Sequence, residues 1–312
     1  MVREVPTVSV TPLGQTARVR TAVRPHHARR PLAGTVQAGN SGRRTAQAEG
    51  LLGELRGDTT RRPQVDPGLA GGLREWLEDG VSDATASLPG GSVIVDPRSL
   101  SWALGGTEGD GTAPEWTIRL AKEALVDVLF RQQVTMGGIG DALEDALAAV
   151  RAEGRTSLVD FVEHLPRSAR TVLDHELGAH AVLLGRHWAP LAPGWLPRTH
   201  DKISIPLAGG RVVLTAEVDL VLGVPCAGQA SVCLVAVTSG APNPSQRADR
   251  HFCALLETIR SGAPPCRLAT YYSASGRIDA EDVPDALLAH AVQRTITGTA
   301  RLCEWASRAG TG

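Results

Sequence analysis

Two carboxylates, Glu217 and Asp219, stand two residues apart in the apolar run VVLTAEVDLVLG that begins at Val212. In a β-strand that spacing puts both side chains on one face. Two acids facing a neighbouring strand form a layout that can hold a hard divalent cation such as Mg²⁺. The next apolar run, ASVCLVAVTSG from Ala230, carries neither an acid nor a base. A polar gap then leads into an amphipathic stretch with Gln246, Arg247 and Arg250 near its start. Guanidinium groups at such a place suit contacts to phosphate, and a solvated helix face is the plain alternative.

The elements that must position these residues follow from periodicity and turn chemistry. Apolar or alternating runs predict strands over 203–206, 212–222 and 232–238, with Gly209-Gly210 and the stretch 225–229 as hairpin turns. A helix over 248–262, a strand over 267–273 and a terminal helix over 283–308 follow. Upstream, helical spacing predicts helices over 68–82, 114–132, 139–153, 157–165 and 168–188, a short strand over 93–96, and a Gly-rich acidic loop over 107–114. The expected fold class is α/β: a mixed central sheet flanked by helices, with a mainly helical N-terminal region. The chain divides into a basic arm (1–66) expected to lack regular structure, a helical region (67–165) and an α/β core (166–312). Within the arm, 45–56 has the pattern of a short helix.

The 312 residues carry a formal net charge of −1, spread unevenly. Residues 1–62 hold 11 arginines against 4 acids, so the arm is basic and the body acidic. A basic arm suits electrostatic attachment to nucleic acid or an acidic partner. Lysine occurs only at 122 and 202, which points to a GC-rich bacterial genome. The five cysteines form no C-x-x-C pair, and buried thiols in a reducing cytoplasm are expected. No apolar run reaches the length of a membrane span, and the polar residues after Arg29-Arg30 argue against a secretory leader.

The stretch from about 173 to 272 resembles the RecB-like branch of the PD-(D/E)XK nuclease superfamily. Gly178-Ala179-His180-Ala181-Val182-Leu183 resembles its histidine-bearing helix, and Glu217-Val218-Asp219-Leu220-Val221 resembles its aspartate strand. Leu234 to Gly240 stands where the family has an acid-x-Lys strand. The resemblance implies a restriction-endonuclease-like core, with His180, Glu217 and Asp219 as catalytic candidates and Asp219 and Glu217 as ligands of Mg²⁺. It also implies DNA as a partner, with Gln246, Arg247 and Arg250 as nucleic-acid contacts. The departures are specific. Ala236 holds the position of the second acid and Thr238 that of the lysine, while Asp249 stands at the family's glutamine.

Three readings follow. One is a nuclease-like protein with impaired hydrolysis that binds or scaffolds nucleic acid in DNA processing or defence. Another is an active Mg²⁺-dependent nuclease with a rearranged site. The third is a protein-interaction module of a multi-component system. The arrangement of His180, Glu217, Asp219, Ala236 and Thr238 in space is the observation that bears on them.

Overall fold

The computed structural model describes Leu55 and residues 64–86, 88, 92–105, 116–191, 193–226 and 228–309. The rest of the arm and the expected loop at 107–114 lie outside the described residues. Leu55 is helical and fully buried in one of the two cores described below.

The protein is mixed α/β, with a six-stranded sheet covered by helices on both faces. In chain order the elements are α1 (Leu69–Ala86), β1 (Val93–Val95), α2 (Pro97–Ala103), α3 (Ile118–Thr135), α4 (Ala142–Ala152), α5 (Thr156–Glu163) and α6 (Arg167–His187). Then come β2 (Arg198–Leu207), β3 (Val212–Leu222), β4 (Cys233–Thr238), α7 (Pro244–Ser261), β5 (Arg267–Tyr272), β6 (Arg277–Asp282) and α8 (Asp285–Ala309). The mixed sheet and its helical flanks are as the sequence predicts. Two elements were not foreseen. Edge strand β6 (RIDAED) is charged and has no fully buried residue, so it shows no apolar alternation. Helix α2 is short, although its start carries a legible signal: Asp96 caps Ser99 reciprocally and Pro97 opens the first turn. β2 also begins five residues earlier than its apolar part, because Arg198–Lys202 is polar.

The sheet is organised around β3. β2 pairs antiparallel with it from Val212 to Val221 and fills one edge. The other edge is shared: β1 pairs in parallel with Val212–Leu214, and β4 pairs antiparallel with Leu220–Leu222. Between these two partners, residues 215–219 have no strand neighbour on that edge among the described residues. β4 then continues in parallel with β5, and β6 closes the sheet. The result is a fork in the sheet, and Glu217 and Asp219 lie on its bank.

Apolar side chains on the two faces of the sheet build two cores. α1, α2, α7 and α8 cover one face, over Ile203, Ile205, Leu214, Val218, Leu234 and Leu268. α3 to α6 cover the other, over Leu220, Leu222, Val235, Ala269 and Tyr271. The helices of 67–165 thus pack on the sheet of 166–312 from both sides. Trp188, Phe130 and Tyr271 form an edge-to-face group in the second core, with Trp188 centroids 5.0 Å and 5.6 Å from the other two rings.

The turn from β3 to β4 is fixed by Gly223. Its φ is +92°, and a Cβ there would lie 2.7 Å from the Ser231 carbonyl oxygen. Gly223→Ala is expected to cost about 2–3 kcal/mol from the left-handed backbone and the backbone clash together. A melting temperature lowered by less than about 2 °C would show that the turn rebuilds freely.

Candidate functional site

A cleft of about 280 Å³ opens through the fork. One wall is α3, with Glu123, Val126 and Asp127, and it continues onto Glu217 of β3. The other wall is α7, with Gln246, Asp249, Arg250 and Cys253. The end of β4 (Ala236, Val237, Thr238) and Thr270 of β5 lie between the walls. α7 is held in place by its amphipathic pattern: Asn243 caps it, Phe252, Leu255 and Leu256 are buried, and Gly262 ends it in the left-handed conformation.

Asp219 points across the fork. Its Oδ2 accepts the Val237 N–H at 2.7 Å and so ties β3 to β4 where they part. Burial, reinforced by the Asp127 carboxylate, pushes its carboxyl up to about 7; the Val237 hydrogen bond and His200 oppose this. Glu217 turns toward His200 of β2, whose Nδ1 bonds Glu217 Oε1, while His200 Nε2 lies 3.0 Å from Asp127 Oδ2. The Asp127 hydrogen bond raises the imidazole above its ordinary pKa. His200 thus lies between two carboxylates drawn from α3 and β3, which favour its protonated form. Its backbone is left-handed, at φ +52°.

Other cations flank the same wall. Arg119 meets Glu123 at 3.1 Å, Arg131 meets Asp127 at 3.5 Å, and Lys202 lies 3.8 Å from Glu217 with most of its side chain in solvent.

Ala236 and Thr238 face the cleft from β4. Thr238 Oγ1 accepts the Gly240 N–H at 3.0 Å and the Gln246 amide N–H at 3.3 Å. Arg250 lines the cleft half-buried. Burial lowers its pKa, and it makes no hydrogen bond or ion pair with any described residue. Arg247 lies outside the cleft lining and pairs with Glu281 of β6 at 2.6 Å. His180 is also outside it. It is buried on α6, bonds the backbone of Ser273, and has its pKa lowered by burial. Ser273 in turn donates its N–H to the Thr238 carbonyl at 2.9 Å, so His180 bears on the end of β4 through Ser273.

Of the residues singled out from the sequence, the fork brings together Glu217, Asp219, Ala236, Thr238, Gln246 and Arg250. It leaves out His180 and Arg247. Sequence reasoning missed Glu123, Asp127 and His200. One signal was available: Glu123 and Asp127 are like charges four apart on a helix, which is unfavourable unless something between them compensates.

Among the described residues, no group of three or more His, Cys, Asp or Glu side chains is arranged to hold a metal ion. The donors as they stand do not fit Mg²⁺, which wants several oxygens in near-octahedral order. One Asp219 oxygen faces an N–H, the Glu217 oxygens face His200 and Lys202, and Ala236 offers a methyl group. Compared with family models and with curated proteins, the chain matches none.

Proposed function

We propose that this is a nuclease-like α/β protein, similar in plan to the RecB-like PD-(D/E)XK domains, that has lost phosphodiester hydrolysis and serves as a nucleic-acid-binding or scaffolding subunit. The observation that carries this reading is the fork. An aspartate bridges two parting strands, while the positions that the resemblance gives to the second acid and the lysine hold Ala236 and Thr238. The His200 ring sits between Asp127 and Glu217, so these two carboxylates already have a partner within the protein. Losing an electrostatic group of the lysine's kind typically costs about 10²–10³ in rate. The cysteines fit a reducing cytoplasm, since none is in a disulfide. No helix among the described residues is long and apolar enough to cross a membrane.

A second reading has one observation in its favour. Glu123 and Asp127 enter the same cleft from α3, so a rearranged Mg²⁺ site could draw on carboxylates other than the missing one. One pair of assays separates the two. Under the first reading, single-stranded or duplex DNA binds at about 50 mM salt, binding weakens steeply as salt rises, and Mg²⁺ or Mn²⁺ gives no cleavage at high enzyme. Cleavage that disappears in Asp219→Ala would overturn it in favour of the second. Absence of DNA binding together with a stable protein partner would favour an interaction module.

A further inference from the structure

We infer that the α7 side of the fork is a binding pocket for a single phosphate group, with Arg250 as its cation. Three polar groups with unmet hydrogen-bonding capacity converge there. The Arg250 guanidinium is half-buried without a hydrogen bond or ion pair to any described residue. Thr270 is 1 % exposed, and its Oγ1 has no partner. The Gln246 Oε1 is buried and also has none. All three residues line the one cavity of about 280 Å³.

A half-buried guanidinium that no carboxylate bonds is costly, because burial weakens its hydration and the Glu281 and Asp279 carboxylates favour its charge only from a distance. An anion in the cavity removes that cost. The carboxylates of the opposite wall do not supply it: Glu123 pairs with Arg119, Asp127 with Arg131 and His200, and Glu217 with His200 and Lys202. Asp249 also lines the pocket, on the α7 wall.

The donors favour a tetrahedral anion over a planar carboxylate. Arg250 presents a fork of N–H groups and Thr270 a hydroxyl. Thr238 already accepts the Gly240 N–H, so its own hydrogen can go to the Gln246 amide oxygen once that amide turns over. Turning the amide over puts an N–H donor at the position where Oε1 now lacks a partner. Ser239 adds a second hydroxyl at the rim. That is more donors than the two oxygens of a carboxylate can use, and a match for the oxygens of a phosphate. Ala236, a small residue on the floor, leaves the space open.

This inference depends on the nucleic-acid reading only for the source of the phosphate. Two probes separate the sources: inorganic phosphate, and a short deoxythymidine oligonucleotide with or without a 5′ phosphate. In the wild type, the phosphorylated oligonucleotide is expected to bind about tenfold tighter than the unphosphorylated one by fluorescence anisotropy, and phosphate to raise the melting temperature. In Arg250→Gln both differences should vanish. Thr270→Val keeps shape and removes an unpartnered hydroxyl, so it should preserve or raise the melting temperature while weakening phosphate binding about threefold or more.

If Arg250→Gln does not fold, Thr270→Val alone decides the matter: unchanged phosphate binding in it overturns the pocket. Equal binding of both oligonucleotides by wild type and Arg250→Gln keeps the nucleic-acid reading and removes the phosphate pocket. An Arg250-dependent response to inorganic phosphate with no oligonucleotide binding keeps the pocket and removes the nucleic-acid reading.

Discussion

Replacing Arg260 with methionine is expected to destabilise the protein by about 3–5 kcal/mol, because it strands a buried charge. Glu257, on α7, is fully buried. Arg260, one turn on, bonds Glu257 and also reaches Asp201 of β2 at 2.6 Å. This bridge joins the helix that carries Gln246 and Arg250 to the strand that carries His200. Burial already pushes the Glu257 carboxyl above the usual carboxylate range, and Arg260 is the main charge that opposes the shift. Without it, Glu257 takes up a proton rather than remain charged and unpaired. The loss should therefore shrink toward about pH 5. Arg198 also lies close enough to lower the Glu257 carboxyl, which sets the expectation at the lower half of the range. The double variant Glu257→Gln, Arg260→Met should regain much of the loss, since the stranded charge is gone. Chemical denaturation of both variants measures this. A single-variant loss under about 1 kcal/mol would mean that Arg198 or water carries the charge, and that the bridge does not fix α7.

The sequence made the scaffold legible and the site only half so. β3, β4, α7 and β5 each carry a strong apolar pattern because each is buried on at least one face, and those patterns put Asp219 and Ala236 in the right elements and Gln246 just ahead of the helix expected from 248, which in fact starts at Pro244. Asp219 crossing to β4 follows from its place on the strand. His200, Glu123 and Asp127 were not legible for a physical reason. His200 sits in a polar stretch that becomes strand only because it pairs with β3. Glu123 and Asp127 look like the solvated side of an amphipathic helix, and nothing local says that the helix packs over a gap in a sheet. His180 illustrates the converse. Its helix is legible in the pattern, but which way its ring faces depends on how α6 packs on the sheet, which nothing local encodes. β6 escaped notice because an edge strand with charges on both faces has no period to detect.

The pH dependence of stability provides the sharpest test of the fork. Asp219 has a folded-state pKa of about 7 against an ordinary value of 3.8. Between about pH 4 and 7 the folded protein therefore holds a proton that the unfolded chain has released, and stability falls as pH rises through that window. His200 acts in the same direction at higher pH: its folded pKa lies above 6.5, so its contribution is full below that value and is lost as pH rises through the folded pKa. Other groups oppose these two. Burial depresses His180, His187 and His251, which adds stability as pH rises toward 6.5 and is complete above it. Glu153 and Glu281 are also held low by ion pairing, and their contribution is lost on acidification. The informative quantity is thus the difference between wild type and Asp219→Asn. The amide keeps an acceptor for the Val237 N–H and cannot ionise. A shift of three units is worth on the order of 4 kcal/mol in full, and about 2–3 kcal/mol allowing for the carboxyl's partial exposure. Asp219→Asn should therefore be more stable than wild type by that amount at about pH 8, with the advantage shrinking toward about pH 4. His200→Gln should flatten only the portion above 6.5. The same Asp219→Asn protein separates stability from function: a hydrolase that used Asp219 would lose turnover, whereas a binding fork keeps its affinity. A difference profile without slope between about pH 4 and 8 would place the Asp219 carboxyl in open water, and the fork would then be a gap in the sheet with no polar centre.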